Sequence, residues 1–410
     1  MTREPQFARY DPADPPVDSL TRRWHEIPPD PAFDAAAEPP TMRRVRDAVV
    51  SGRRLTREEG LYLLRDAPLA ELGALAQAVR FRRLPERRVS YVVDSNPNYT
   101  NVCTVDCLFC AFYRKPGHSE AYTLTMAQVL EHIAKAKSWG ATTVLLQGGL
   151  NPELPFSFYT DLVRAVRERF PDVTPHFFSA PEIQQMAEVS KLTVRGVLQA
   201  LKDAGQVSLP GGGAEILSDR VRRRIGPKKG PAERWLEVHR AAHEVGMRST
   251  ATMMYGHLDT AEDRLEHLDH VRTLQDQSNA KGHPGFTAFV PWSYKRDQTV
   301  LARRVSHNAG ASMYLRVLAA ARLYLDNVDH VQASWFSEMK RAGQVALHYG
   351  ADDFGGTLFE ENVHKATGHE VHTTVEETKQ MIRDAGFAPA KRTTLYEILE
   401  SEPAPEPAAV

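Results

Sequence analysis

The sequence predicts an α/β protein built on a (β/α)8 barrel of the TIM type, complete or partial, with a helical extension before the barrel. The main observation is that, from residue 89 onward, eight short β-rich runs alternate with longer amphipathic stretches. Such alternation is typical of parallel strands joined by right-handed helical crossovers. The length of 410 residues also suffices for one large domain of this kind with extensions.

Two segments precede the barrel. Residues 1–45 are rich in Pro, Asp, Ala and Arg without a sustained period, and we expect them to form a flexible arm. Residues 46–88 are predicted to form the helical extension. Thr56 followed by Glu59 is a capping-box pattern, and leucines recur at helical spacing after it.

The barrel is predicted over 89–356, followed by a helical segment packed on it at 357–397 and a disordered tail at 398–410. The tail is assigned on its Pro, Ala and Glu content. The predicted strands are 89–93, 142–147, 174–179, 207–209, 249–255, 286–290, 331–335 and 344–348. The predicted helices between them are 126–139, 158–169, 183–204, 232–245, 261–277 and 313–324.

Composition excludes several classes of function. The formal net charge of -1 supplies no basic field for nucleic acid phosphates. The amino terminus has no apolar run that could serve as a signal peptide or a membrane span, so we expect a cytoplasmic protein. Only 3 cysteines are present and they lie close together, which excludes a disulfide framework in practice.

Cys103, Cys107 and Cys110 form a C-x-x-x-C-x-x-C pattern on the loop after the first predicted strand. Thiolates so close in sequence can surround one metal centre, and sulfur ligands select iron–sulfur clusters or zinc. A structural zinc site or a simple electron carrier normally has four protein ligands, whereas three leave a position for substrate. There are two alternatives. One is a zinc site whose fourth ligand is a histidine, and the other is that the three cysteines bind no metal and serve only as small apolar residues. Phe109 and Phe112 are expected to shield the centre from solvent.

Glycine-rich loops follow two other predicted strands, at the barrel end where this fold carries its chemistry. Gly148 and Gly149 permit close approach of a ligand to the backbone, although a plain turn would also explain them. Glu215 follows the glycines at 211–213 and can accept hydrogen bonds from a ribose or an ammonium group. A helix-start residue is the alternative for Glu215. No Lys-Ser or Lys-Thr pair follows these glycines, so a nucleotide P-loop is not predicted.

Aromatic and acidic residues follow the later predicted strands. An aromatic ligand could stack on Trp292 or Trp335, although burial in the core is the commoner fate of tryptophan. Asp352 and Asp353 are candidates for a catalytic role, as a sugar ligand or a proton acceptor. Turn formation before a glycine pair is the alternative for these two acids.

Two histidine pairs have helical spacing but lack the glutamate of a zinc-protease motif. Because the surrounding residues are charged, we expect them on solvated helix faces. The pairs are His239 with His243 and His267 with His270.

Several short segments between residues 91 and 396 carry a resemblance to a known family. They are Asn98-Tyr-Thr-Asn-Val-Cys103, Asp106-Cys107, Phe109-Cys110-Ala-Phe-Tyr-Arg114, Gln147-Gly-Gly-Leu150, Leu209-Pro-Gly-Gly-Gly-Ala-Glu215, Thr252-Met-Met-Tyr-Gly256, Phe286-Thr-Ala-Phe-Val-Pro-Trp292, Gln332-Ala-Ser-Trp335 and Gly350-Ala-Asp-Asp-Phe-Gly-Gly356. Together they resemble the radical S-adenosylmethionine (SAM) superfamily and its menaquinone-pathway (futalosine) branch. Within that branch, Asp106 and the Tyr113-Arg114 pair make the chain most similar to the cyclic dehypoxanthinyl futalosine synthases.

The resemblance implies a [4Fe-4S] cluster on the three cysteines, with SAM bound to the iron that has no protein ligand. It implies that Gly148 and Gly149 meet the SAM amino group. Glu215 and Lys229 are implied as further SAM contacts, with a solvated lysine as the alternative for Lys229 because Lys228 is adjacent.

The resemblance also implies the substrate and the reaction. The substrate would be dehypoxanthine futalosine, a sugar joined to a benzoate, and the reaction an oxidative cyclisation to cyclic dehypoxanthinyl futalosine. A cytosolic flavodoxin or ferredoxin would donate the electron. Two alternatives stay open: an aminofutalosine synthase or FO synthase subunit of the same branch, and a non-catalytic iron–sulfur or zinc protein.

Overall fold

The computed structural model describes residues 40–369 and 372–403. Most of the predicted arm, 1–39, therefore lies outside the described residues, and 40–45 already belong to a helix. The capping box predicted at Thr56 is present. The Glu59 N–H donates to Thr56 Oγ1 at 3.2 Å, and the Glu59 carboxylate accepts the Thr56 N–H at 2.8 Å.

Strands and helices alternate along the chain after a helical start. The strands are β1 (Arg88–Val92), β2 (Asp94–Ser95), β3 (Thr143–Leu146), β4 (Thr174–Phe177), β5 (Ser208–Leu209), β6 (Arg248–Tyr255), β7 (Phe286–Ser293), β8 (His330–Val331), β9 (Asp353–Gly356), β10 (Ala388–Arg392) and β11 (Ile398–Ser401). The helices are α1 (Pro40–Ser51), α2 (Arg57–Arg65), α3 (Leu69–Arg83), α4 (Met126–Ser138), α5 (Phe156–Arg169), α6 (Ala180–Ser190), α7 (Val194–Asp203), α8 (Asp219–Ile225), α9 (Ala232–Glu244), α10 (Ala261–Ala280), α11 (Ala311–Tyr324), α12 (Trp335–Glu338), α13 (Lys340–Ala346), α14 (Asn362–Lys365) and α15 (Val375–Asp384).

The predicted barrel architecture is confirmed. Strands β2 to β8 form a parallel seven-stranded sheet in sequence order, curled into a half-barrel. Strand β1 runs into β2 and pairs in parallel with β9 on one side and β10 on the other. A bridge between Gln332 and Asp353 connects the β8 edge to β9. The two edges of the half-barrel are therefore joined through β9 and β1.

The eighth strand was predicted in the wrong place. Residues 344–348 belong to α13 and the turn after it, whereas the strand is β9. Its Asp-Phe-Gly-Gly sequence has no alternation of apolar residues. Phe354 is the one apolar side chain that this strand contributes to the core, and buried long-range ion pairs of Asp352 and Asp353 also hold it. The predicted strand 331–335 also ends early, since Trp335 begins α12. The predicted helix 183–204 is broken at Lys191, whose φ of 60° lies in the left-handed region.

The carboxyl-terminal part differs from the helical segment and disordered tail that we expected. The segment 357–397 contains α14 and α15, but it also contains β10. The predicted tail begins with β11, which pairs antiparallel with β10, and 404–410 lie outside the described residues. The β10 sequence, Ala-Pro-Ala-Lys-Arg, has low strand propensity, so this strand depends on its neighbour β1.

The helical extension covers the outer layer of the barrel. Helix α2 packs on α10, and α3 packs on α11. No helix of the described chain is both long enough and apolar enough to span a membrane.

Candidate functional site

A cavity opens at the carboxyl ends of the strands, where a barrel of this type is expected to bind its ligands. The cysteine loop and the two glycine-rich loops all line this cavity. The residues predicted to hold a cluster and SAM all line this cavity: Cys103, Cys107, Cys110, Gly148, Gly149, Glu215 and Lys229.

The cysteine loop is closed by Arg114. The Cys103 N–H donates to the Arg114 carbonyl at 2.8 Å. The Arg114 guanidinium in turn donates to the carbonyls of Ala111 and Tyr113, both at 3.0 Å. These bonds bend the chain between the first and third cysteines into one turn around a common space. Arg114, which carried the resemblance, thus acts by shaping the loop.

The three thiols lie in an apolar setting. Cys103 and Cys107 are buried, and Phe109 packs against them. Burial raises the pKa of the Cys107 thiol, and the nearby Lys229 ammonium offsets only part of that shift. Burial raises the pKa of Cys110 as well. The Cys107 and Cys110 thiols would therefore lose their protons when a cationic centre binds them.

The donor set suits an iron–sulfur cluster. The three cysteine side chains line one cavity, and soft thiolate ligands select such clusters. Three cysteines facing one cavity, with the fourth side open, suit a [4Fe-4S] cluster that has one iron free for a ligand.

Packing against the cysteine loop requires the glycine pair. The Gly149 N–H donates to the Thr100 carbonyl at 2.9 Å, and a Cβ at Gly149 would overlap the Val102 carbonyl. A Cβ at Gly148 would lie 2.7 Å from the Tyr99 ring. Only glycine lets the end of β3 approach the cysteine loop this closely.

Glu182, which was not predicted from the sequence, hydrogen-bonds the backbone of this glycine pair. Its buried carboxylate accepts the Gly148 N–H at 3.1 Å and the Tyr99 hydroxyl at 2.6 Å. Burial raises the pKa of Glu182 to about 7. The capping box that Glu182 forms with Ser179 was the available signal, since it marks the start of α6 at the cavity wall.

The two adjacent lysines have different positions. Lys229 Nζ donates to Glu215 Oε2 at 2.5 Å within the cavity. The Lys228 side chain is 57% exposed and pairs with Asp106 at 2.9 Å outside it. Arg222 fixes the loop that carries Glu215 by donating to the Ala214 carbonyl at 2.6 Å. Of the two lysines, Lys229 is therefore the one placed to contact a ligand.

A second cavity lies deeper in the barrel and adjoins the first. The two enclose about 1120 and 1190 Å³, including part of the open mouth. Residues that line both include Gln147, Glu215, Trp292 and His364. Ligands in the two cavities would therefore meet at a shared boundary, where Trp292 lies.

Sequence analysis missed the polar residues of the inner cavity. Asp94 and His176 line it, and both are buried. Burial raises the pKa of the Asp94 carboxyl to about 7 and lowers the pKa of His176 to about 3. His176 Nδ1 hydrogen-bonds Ser208 Oγ at 2.7 Å. The available signal was an aspartate at the end of an otherwise apolar strand run, Val-Val-Asp94.

Trp335 does not contact either cavity, so the prediction that it binds substrate is corrected. Its side chain is fully buried, and its indole N–H donates to the Gly356 carbonyl at 3.1 Å. The ring stacks on Phe354. Trp335 packs β9 against α12, the commoner fate of a tryptophan.

Asp352 does not line either cavity, which corrects its prediction as a ligand-contacting acid. It pairs with Arg322 and, at 2.5 Å, with His330. Burial alone would raise the pKa of Asp352, but the Arg322 and His330 charges more than offset this and hold it well below its usual range.

The same correction applies to Asp353, which does not line either cavity. It accepts hydrogen bonds from Arg392 Nη2 at 2.9 Å and from Ser90 Oγ at 2.6 Å. Both acids therefore fix β9 in the barrel wall by buried ion pairs.

The expectation of solvated histidine faces is wrong for three of the four residues. His239, His243 and His267 are fully buried, and only the His270 side chain is partly exposed, at 37%. His243 hydrogen-bonds the hydroxyls of Ser278 and Ser249, both at 2.8 Å. These helices pack on the barrel and on each other, so charged neighbours in sequence do not indicate exposure.

Sequence comparison identifies two regions. Residues 98–271 match the radical SAM superfamily, and 283–404 match the CofH/MqnC C-terminal region. A cyclic dehypoxanthine futalosine synthase of Halalkalibacterium halodurans is 40% identical, over 87% of this chain and 95% of its own length. An aminodeoxyfutalosine synthase of Thermus thermophilus is 39% identical, over 87% and 95%. A 5-amino-6-(D-ribitylamino)uracil–L-tyrosine 4-hydroxyphenyl transferase of Methanothermobacter thermautotrophicus is 41% identical, over 84% and 95%.

Structure comparison gives the same fold. The crystal structure of HydG, a maturase of the [FeFe]-hydrogenase, superposes with a TM-score of 0.69 and 15% identity. The match covers 87% of this chain and 77% of that one. At this identity the likeness establishes the fold alone.

Proposed function

The chain belongs to the radical SAM superfamily, and from that premise we propose that it catalyses the oxidative cyclisation of dehypoxanthine futalosine to cyclic dehypoxanthinyl futalosine in menaquinone biosynthesis. The observation that carries the proposal is the pair of adjoining cavities with Trp292 at their boundary. One cavity has the cysteines and the other has polar groups suited to a sugar-containing substrate. The 40% identity to a cyclic dehypoxanthine futalosine synthase over nearly its whole length supports the choice of substrate.

The outer cavity supplies the contacts for the cofactors. Enzymes of this superfamily use a [4Fe-4S] cluster and SAM, which together supply a one-electron cleavage that makes a carbon-centred radical able to remove a hydrogen atom. In this chain Cys103, Cys107 and Cys110 would hold the cluster. The ammonium of Lys229 and the carboxylate of Glu215 would complement the carboxylate, ammonium and ribose groups of SAM.

The inner cavity supplies the contacts for the substrate. Asp94, Asn96 and Gln332 line it with groups that can hydrogen-bond sugar hydroxyls. The Trp292 ring at the boundary offers an apolar face to either ligand. The barrel thus holds one substrate C–H bond beside the outer cavity and keeps water away from it.

Asp94 is our candidate for the proton acceptor. The cyclised product has two hydrogens fewer than the substrate. One leaves as a hydrogen atom that ends in 5′-deoxyadenosine. The other leaves as a proton with one electron, and that electron would pass to the oxidised cluster on the three cysteines, so SAM would be the net oxidant. Asp352 and Asp353 are occupied by buried ion pairs, whereas the Asp94 carboxyl lines the inner cavity. A carboxyl with a pKa of about 7 is well matched to accept a proton near neutral pH.

The test is an anaerobic incubation of the reconstituted protein with SAM, a reductant and dehypoxanthine futalosine, followed by mass spectrometry. We expect a product two mass units lighter than the substrate, with 5′-deoxyadenosine in equal amount. A parallel incubation with 5-amino-6-(D-ribitylamino)uracil and tyrosine tests the activity in the name of the archaeal relative. Product in that incubation alone would refute the proposal.

A further inference from the structure

A basic concavity lies next to the cysteine loop, and of its lining residues Tyr113 alone also lines the outer cavity. It is lined by three arginines, by apolar and aromatic residues, and by one acid. The residues are Arg223, Arg224, Arg304, Leu108, Tyr113, Pro227 and Asp106.

Three segments distant in sequence meet at Leu108 to form this surface. The Leu108 N–H donates to the Ile225 carbonyl at the end of α8, at 2.8 Å. The Leu108 carbonyl accepts the Leu301 N–H, also at 2.8 Å, from the 3-10 helix Val300–Arg304. The arginines on both segments are therefore fixed in place relative to the cysteines.

The positive charge of this surface is not neutralised within the described residues. Arg223, Arg224 and Arg304 are exposed, and none forms an ion pair or side-chain hydrogen bond with another described residue. The one acid of the lining, Asp106, is already matched by Lys228 at 2.9 Å and by Lys115 at 3.9 Å. In a chain whose formal net charge is -1, this local excess of positive charge is unusual.

The concavity is also close to the cysteines. Leu108 is bonded directly to Cys107, and Tyr113 lines both the concavity and the cysteine cavity. Leu108 and Tyr113 therefore belong to the wall between the two. Electron tunnelling falls off steeply with distance, so a carrier docked here would have a short path to a centre held by the cysteines.

We infer that this concavity is the docking surface for a small acidic one-electron carrier protein of the flavodoxin or ferredoxin class. Unpaired arginines beside apolar residues suit a small interface that forms quickly and dissociates quickly. The inference rests on the radical SAM chemistry of the proposed function but not on the identity of the substrate.

The test compares two charge variants with the wild type. The docking variant carries Arg223→Glu, Arg224→Glu and Arg304→Glu. The matched control is Arg248→Glu, another exposed arginine outside any ion pair of the described chain, at the amino end of β6 on the opposite side of the barrel. The first readout is the affinity of oxidised flavodoxin for each protein at low and high salt. The second is 5′-deoxyadenosine formation driven by reduced flavodoxin or by reduced methyl viologen, a small cationic reductant.

For the wild type and for Arg248→Glu, we expect flavodoxin binding that weakens as salt rises. For the docking variant, we expect affinity at low salt to fall about tenfold or more, with little salt dependence left. Its rate with flavodoxin should fall in parallel, while its rate with methyl viologen stays at the wild-type level.

Two results would overturn the inference. One is wild-type flavodoxin affinity in the docking variant. The other is an equal loss with both reductants, since that would place the arginines in support of the cysteine loop. If wild-type protein cleaves SAM but yields no cyclised product, the proposed substrate fails, and the docking comparison still stands because it measures only binding and SAM cleavage.

Discussion

Lys229 and Glu215 form an ion pair inside the cavity that the cysteines line, with 2.5 Å between Nζ and Oε2. The side chains are only 10% and 9% exposed, and they come from different elements. A pair this buried presents a fixed positive and a fixed negative group side by side. It therefore matches a ligand that carries both a carboxylate and an ammonium group, as the methionine part of SAM does.

Lys229→Met should weaken SAM binding about tenfold or more, because the substitution removes a cation and leaves the Glu215 carboxylate unpaired in a buried site. Equilibrium binding of SAM to the reconstituted protein measures this. The matched control is Lys228→Met, whose exposed ion pair with Asp106 contributes little. Equal losses in the two variants would contradict a specific role for Lys229.

Asp94→Asn should reduce cyclised product about 100-fold while 5′-deoxyadenosine formation continues, because the amide cannot accept a proton. In the wild type, cyclisation should rise with pH through about 7, since the carboxyl must be ionised to act as a base. The asparagine variant should lose this dependence.

The matched control for Asp94 is Glu361→Gln. Glu361 also lines the inner cavity, but both of its carboxylate oxygens accept backbone N–H groups, from Val363 at 3.1 Å and from His364 at 2.6 Å. In Asp94 only Oδ1 does so, from the Leu358 N–H at 2.8 Å. We expect the pH profile of Glu361→Gln to match the wild type. If the pH profile shifted in Glu361→Gln and stayed unchanged in Asp94→Asn, the proton acceptor would be Glu361 and not Asp94.

Gly149→Ala should prevent stable assembly of the cysteine loop against β3. The added Cβ would overlap the Val102 carbonyl, and a backbone oxygen cannot move aside cheaply. We expect a loss of about 1–3 kcal/mol in the free energy of unfolding, together with reduced iron content. Gly310→Ala is the control, since a Cβ there has no neighbour within 4 Å. Full iron content in Gly149→Ala would show that the loop adapts.

The parts of the site that sequence could predict have local signals. The cysteine spacing and the Gly148–Gly149 pair each define a short stretch of backbone, so residue types at fixed spacing suffice to single them out. Lys229 was singled out through the family resemblance alone, because a lysine beside Lys228 has no such local signal. Asp94 and His176 have no such pattern. What makes them site residues is burial in the barrel interior, which depends on strands far apart in sequence.

The same distinction explains the errors in the fold. Strand β7 has an apolar run, so it was predicted at nearly the correct position. Strand β9 consists of Asp353-Phe-Gly-Gly and is held by the pairing of Asp353 with Arg392 and of Asp352 with Arg322. Those partners lie 39 and 30 residues away, and a local pattern of propensity does not report them.

Substitution by Phe should affect the free energy of unfolding differently at His239 and at His243. His239 packs against the Trp235 ring, and its two ring nitrogens have no hydrogen-bond partner among the described residues. His239→Phe should therefore leave the free energy of unfolding at pH 7.5 unchanged or raise it, because two unsatisfied polar atoms are removed. His243→Phe should lower it by about 1–3 kcal/mol, because Ser278 and Ser249 lose their partner.

Because these two histidines are buried, the free energy of unfolding should depend on pH. Burial lowers the pKa of His243 to about 3 and that of His239 well below its usual value. Below pH about 6.5 the unfolded chain takes up protons that the folded chain cannot, so the free energy of unfolding should fall as the pH drops from 6.5 towards 3. Each Phe variant should show a shallower slope in urea titrations between pH 7.5 and 5.5. A slope equal to the wild type in both variants would mean that these rings reach solvent and titrate in the folded protein.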